Sequence, residues 1–271
     1  MIDISKIDYT AFDHPEITSL LFYPRREDGW PLSFSGSAET VLIPVEKDVV
    51  VGARLHLSGK GGANMLFFHG NGEIVSDYDD LGRLYTGMGI NFFPVDYRGY
   101  GQSTGRPTAT SMMRDCHVIF EYIKSWLRDR QHSGPLIIMG RSLGSASALE
   151  LVCTYPDQID GLIIESGFAF AEPLLRLLGI NMEVLGVKEK EGFRNIDKIR
   201  KIDKPTLIIH AEHDHIISFC EGKLLFDASA NKDKRLLRIP GANHNDLFFR
   251  GMSSYLESVR WLVDKAAMGR A

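Results

Sequence analysis

The sequence predicts an α/β protein built on a mostly parallel sheet with helices on both faces. Three observations carry this. Short apolar runs alternate with longer amphipathic stretches over roughly 200 residues, the rhythm of strand and crossover helix. Most of the runs are apolar throughout rather than at every second position, as in strands covered on both sides. Two β-branched segments ahead of them stand apart as a hairpin.

Taken in order, residues 1–36 are mixed, with turn formers at Asp28-Gly29-Trp30-Pro31 and one apolar patch at 20–23, and are expected as an N-terminal extension packed on the core. The main domain is expected over 37–271. It opens with strands at 38–44 and 48–57, joined by a short polar link into an antiparallel hairpin. Six further runs follow, at 64–68, 89–95, 135–139, 161–164, 205–209 and 235–239, each too short for a helix. Between them 74–88, 110–129, 143–155 and 246–265 have helical spacing. In the last, Leu247, Tyr255, Leu256, Val259, Leu262 and Val263 can share one apolar side. Parallel strands joined this way take right-handed crossovers. Residues 167–204 are too long for an ordinary crossover. Their first part is apolar (Phe168, Phe170, Leu174, Leu175, Leu177, Leu178) and their second charged (Lys188-Glu-Lys-Glu191), which predicts a small helical cap.

With 271 residues, 44% of them hydrophobic, the chain can fill a sizeable core. Its net charge of −4, without a block of either sign, argues against a nucleic-acid partner. Apolar runs stop far short of the roughly 18 residues of a membrane span. The N-terminus shows neither a basic nor an apolar signal region. Cys116, Cys153 and Cys220 are too few and too scattered for a disulfide scaffold or zinc knuckle. A reduced, cytoplasmic protein of unspecified oligomeric state is expected.

Two G-x-S-x-G pentapeptides compete for the role of nucleophile site: Gly101-Gln-Ser103-Thr-Gly105 and Gly140-Arg-Ser142-Leu-Gly144. The motif has meaning only between a strand and a helix. The second follows the apolar run 135–139 and opens a helix whose first residues are small (Ser145, Ala146, Ser147, Ala148). A nucleophile elbow holds its serine in a strained conformation, so Gly140 and Gly144 are the elbow glycines that keep bulk away. The first is followed by Arg106-Pro107 in a glycine-rich loop, so Ser103 reads as a polar loop residue.

A serine needs a histidine to take its proton and a carboxylate to orient that histidine. After the run 205–209 comes His210-Ala-Glu-His-Asp214-His; after 239 comes Pro240-Gly-Ala-Asn-His244. His244 is the only histidine beyond the acidic loop. The order Ser142, Asp214, His244 results, with Glu165 as second candidate acid and Glu212 as a third. The oxyanion donors are expected to be the N–H groups of Leu143 and Asn71, the latter in the loop His69-Gly70-Asn71-Gly72. Arg141 is expected either to bind an anionic part of the substrate or to form an ion pair. Leu174 and Leu177 are expected to line the acyl site.

Phe68-His-Gly-Asn-Gly72, Asp96-Tyr-Arg-Gly-Tyr-Gly-Gln-Ser-Thr-Gly105, the Ser142 elbow, and the Asp214 and His244 loops together resemble the α/β-hydrolase superfamily, over about residues 38–265. The resemblance is strongest to small serine hydrolases with an HGN oxyanion motif. It implies an eight-stranded sheet, no cofactor, and hydrolysis of a small-molecule acyl substrate through an acyl-enzyme. The acid loop departs from many relatives in lacking a glycine before Asp214.

Three other readings are open. His210, His213, Asp214 and His215 could suggest a metallohydrolase, but neighbours at a strand end alternate faces and cannot all converge, so no metal is expected. The fold also serves peptidases and non-catalytic binding modules. The expectation is a serine esterase or thioesterase, the intact set of three arguing against a binding module.

Overall fold

Strand β1 (Ala38–Glu46) runs antiparallel to β2 (Val49–His56) and turns at Asp48, whose φ of 62° suits the tight link. The computed structural model describes residues 3–27 and 38–269. The expected turn at 28–31 lies outside the described residues. The six apolar runs become β3 (Ala63–Phe68), β4 (Ile90–Val95), β5 (Leu136–Arg141), β6 (Gly161–Glu165), β7 (Thr206–Ala211) and β8 (Lys234–Ile239). The eight strands order as β1-β2-β4-β3-β5-β6-β7-β8, an open sheet in which every pair from β4 to β8 is parallel. Strands β3 to β7 are buried along their whole length, as continuous apolar runs require.

Helices α2 (Asp79–Gly87) and α8 (Leu247–Met268) cover one face. There Tyr85, Tyr255, Val259 and Leu262 pack on Phe67, Phe92, Ile137 and Ile163. Helices α3 (Ala109–Asp129) and α4 (Ser145–Thr154) cover the other, beside Phe68, Phe93, Ile138 and Ile164. Thr108 caps α3 by accepting the Ser111 N–H. In the N-terminal segment, helix α1 (Pro15–Leu21) and its neighbours set Phe12, Ile17, Leu21 and Phe22 into this second core.

Residues 167–204 carry α5 (Ala171–Leu177) and α6 (Asn195–Ile199). Their charged part folds back, because the Glu189 carboxylate accepts the Ala171 and Glu172 N–H groups at the start of α5. Two helices escape the sequence reading: α1, in the segment read as mixed and turn-rich, and α7 (Phe219–Ala228), between β7 and β8. Gly222 in its interior reads as a breaker. It is required because a Cβ there would lie 2.3 Å from His210 Nδ1. Among the described residues no helix is long and apolar enough to cross a membrane.

Candidate active site

Strand β5 delivers Ser142 to the carboxyl edge of the sheet with φ of 50°, a conformation that costs free energy and marks a strained turn. The flanking glycines are sterically required. A Cβ on Gly140 would sit 2.4 Å from the Gly144 carbonyl, and one on Gly144 only 2.1 Å from that of Phe68. Ser145 Oγ donates to the Ser142 carbonyl at 2.6 Å, fixing the turn from its helical side.

The loops after β7 and β8 meet beside this elbow. His244 Nδ1 lies 2.7 Å from Asp214 Oδ2, while Asp214 Oδ1 accepts the N–H groups of Ile216 (3.0 Å) and Ile217 (2.8 Å). Burial alone would push the Asp214 carboxyl up. The hydrogen bond and charge of His244, with the two backbone N–H groups, outweigh it and hold the group below the usual carboxylate range. Ser142, Leu143, Gly70, Asn71 and His244 all line one cavity of about 290 Å³, whose apolar wall is Leu21, Leu174, Leu178 and Ile216. An adjoining cavity of about 220 Å³ shares Leu174 and Ile216 and extends past Phe168, Phe170 and Leu177. Leu174 thus stands at the cavity that holds Ser142, and Leu177 only at its neighbour.

The loop after β3 is held by the tyrosines and aspartate of the segment Asp96–Tyr100. Tyr97 Oη donates to the His69 carbonyl at 2.6 Å, and His69 Nε2 faces Asp96 Oδ1 at 3.2 Å. Tyr100 Oη donates to Asn71 Oδ1 at 2.6 Å and accepts the Tyr23 N–H at 2.8 Å. Tyr23 N–H also reaches Asn71 Oδ1 at 2.7 Å. The Asn71 side chain is therefore turned away to anchor the loop and the N-terminal segment. Asn71 is also one of the residues bordering the cavity.

Three comparisons with known proteins bear on this geometry. The family model described as Serine aminopeptidase, S33, matches residues 60–187. Alpha/beta hydrolase domain-containing protein 17B of Homo sapiens is 30% identical over 279 residues, spanning 94% of this chain and 89% of that protein. The chain belongs to the α/β-hydrolase superfamily. Protein bem46 of Schizosaccharomyces pombe is 27% identical over 80% of this chain and 74% of its own. Among solved structures, an esterase of Pyrococcus furiosus superposes with a TM-score of 0.69 at 16% identity, covering 91% of this chain and 99% of that one. A monoacylglycerol lipase of Paleococcus ferrophilus gives 0.62 at 20% identity, covering 79% and 99%.

The competing residues of this α/β-hydrolase have other partners. Ser103 is fully buried, and its Oγ accepts the Gly52 N–H at 2.9 Å, far in role from an exposed nucleophile. Glu165 accepts from Arg141 Nη1 at 2.8 Å and from Tyr255 Oη at 2.5 Å. Glu212 turns outward to the Gly241 N–H and to Arg238. His210 is enclosed, with Nε2 donating to the Ile217 carbonyl at 2.8 Å, whereas the His213 side chain is 71% exposed, so the two rings do not converge. Arg141 is buried, and its donors go to Glu73, Glu165 and the His244 carbonyl. It is ion-paired to both carboxylates and is not among the residues that line the Ser142 cavity.

Sequence reasoning missed Leu21, Tyr100 and Glu73. The apolar patch at 20–23 and the tyrosines beside Gly99 and Gly101 were the available signals.

Proposed function

We propose that this α/β-hydrolase cleaves a carboxylic ester or thioester through an acyl-enzyme, with Ser142 as nucleophile, His244 as base and Asp214 as orienting acid. The observation that carries the reading is His244, paired with Asp214 at 2.7 Å and lining the same cavity as a serine held at positive φ. Asp214 keeps the proton on Nδ1, which leaves Nε2 free to accept one. Ser142 Oγ attacks the acyl carbonyl as its proton passes to His244 Nε2. The N–H groups of Asn71 and Leu143 bind the oxyanion. Collapse of the tetrahedral species expels the alcohol or thiol, which takes the proton from His244. A water molecule, deprotonated by the same nitrogen, then releases the acid and restores Ser142. Because the base must be neutral, activity rises with pH on the acidic side.

The character of the cavity supports an acyl substrate over a peptide. An aminopeptidase needs a free carboxylate for the substrate ammonium. Glu73 is the acid at this wall among the described residues, and both its oxygens are already engaged by Arg141, Gly70 and Tyr78. The apolar wall of Leu21, Leu174, Leu178 and Ile216 suits a hydrocarbon chain of short to medium length, with residues 167–204 acting as the cap. A panel of acyl p-nitrophenyl esters, acyl thioesters and aminoacyl anilides tests this. Turnover of esters or thioesters at least 100-fold above anilides is expected; the reverse order would make the protein a peptidase.

A further inference from the structure

One buried network joins three of the four loops that the proposed mechanism uses. The Arg141 guanidinium, next to the nucleophile, donates in three directions: Nε to Glu73 Oε1 at 2.8 Å, Nη1 to Glu165 Oε1 at 2.8 Å, and Nη2 to the His244 carbonyl at 2.9 Å. Glu73 carries the connection onward. Its Oε2 accepts the Gly70 N–H at 2.6 Å and the Tyr78 hydroxyl at 2.5 Å. Gly70 immediately precedes Asn71, and a Cβ on Gly70 would lie 2.8 Å from Glu73 Oε2, so the loop and the carboxylate are in direct contact.

We infer that Glu73 and Arg141 are positioning residues that fix the oxyanion loop and the histidine loop relative to the Ser142 elbow. This rests on the proposed serine-hydrolase reading. Arg141 is not among the residues lining the Ser142 cavity, and Glu73, which borders it, has both carboxylate oxygens engaged by protein donors. Arg141 sets where the His244 main chain lies, and the Glu73 carboxylate holds the His69–Gly70 peptide, one unit ahead of the peptide that carries the Asn71 N–H, while the Glu73 N–H donates to the Gly70 carbonyl of that next peptide at 3.4 Å. The planar fork of arginine is needed, because a lysine ammonium is a point charge that cannot meet three acceptors so spaced. The carboxylate is needed at 73, because Gly70 N–H, Tyr78 O–H and Arg141 Nε–H are all donors. A glutamine would have to turn its NH₂ group toward one of these donors.

Oxyanion stabilisation acts on the tetrahedral species and hardly on the ground state, so misplacing its donor lowers kcat and leaves KM nearly unchanged. The test is Glu73→Gln and Arg141→Lys, each assayed on the full chain with a p-nitrophenyl ester. Affinity for an alkyl trifluoromethyl ketone, whose adduct places an oxyanion in the same spot, and the thermal midpoint are measured alongside. The expected result is a kcat lower by roughly 10- to 100-fold, KM within about 3-fold, and inhibitor affinity weakened in parallel with kcat, in variants that still melt cooperatively. A merely structural role would lower the melting point and the active fraction without weakening the ketone relative to substrate; that result overturns the inference, as does unchanged kcat in both variants. Wild type is first labelled with a fluorophosphonate. A labelled wild type with unaffected variants removes only the positioning role, whereas an unlabelled wild type removes the hydrolase reading and this inference with it.

Discussion

The carboxylate of Asp214 stands 2.7 Å from His244 Nδ1, and its second oxygen is held by the Ile216 and Ile217 N–H groups. Two residues 30 positions apart are thereby fixed in relative orientation by backbone as well as by charge. An imidazole oriented in this way presents one defined nitrogen to a neighbouring hydroxyl.

Asp214→Asn is expected to lower kcat by about 10³- to 10⁴-fold, because an amide can donate to Nδ1 and hold the wrong tautomer. Steady-state hydrolysis of a p-nitrophenyl ester measures it. A loss under tenfold would transfer the acid role elsewhere.

The elbow glycines make a steric prediction. Gly144→Ala places a methyl 2.1 Å from the Phe68 carbonyl and should destabilise the fold by about 3 kcal/mol or more, since backbone must shift. Gly87→Ala, at the exposed end of α2 with no atom within 4 Å of the added methyl, serves as the control and should be neutral or slightly stabilising. Urea denaturation of both variants decides the matter; equal effects would show that the close approach at Gly144 is not constraining.

Ser103→Ala separates the two serine motifs. The Gly52 N–H loses its buried acceptor, which costs about 1–3 kcal/mol of stability, while ester hydrolysis per folded molecule stays within about twofold. Large loss of activity in a well-folded Ser103 variant would reopen the choice of nucleophile.

Acid stability has an identifiable contributor at Glu150. Burial would raise this carboxyl, but the neighbouring His117 and the Lys198 ammonium at 2.7 Å carry it down to about 2 from 4.5. A depressed carboxyl stabilises the fold above its unfolded value, so this contribution is complete above pH 4.5 and fades as pH falls from 4.5 toward 2. Glu150→Gln should therefore be less stable than wild type at neutral pH, with the gap narrowing as the pH drops below 4.5. Chemical denaturation at a series of pH values reads this; a gap independent of pH would contradict it.

Much of the fold was legible in the sequence because burial on both faces leaves unbroken apolar runs, so β3 to β7 announce themselves; the proposed serine, acid and histidine lie in the segments that follow β5, β7 and β8. Amphipathic helices such as α3 and α8 were equally plain. Helix α7 was not, since Gly222 is dictated by the His210 ring, a neighbour that only the folded chain supplies. The same holds for Arg141. Its position beside Ser142 is visible in the sequence, but Glu73, Glu165 and the His244 carbonyl come to it from three other loops. Leu21 lines the cavity and the Tyr23 N–H reaches Asn71, contacts between residues nearly fifty positions apart that no local pattern encodes.

The most direct measurement is intact-mass analysis after exposure to a fluorophosphonate, followed by peptide mapping. Wild type should gain a single adduct on Ser142, and Ser142→Ala none. A folded wild-type protein that stays unmodified, or carries the adduct on another serine, would contradict the account.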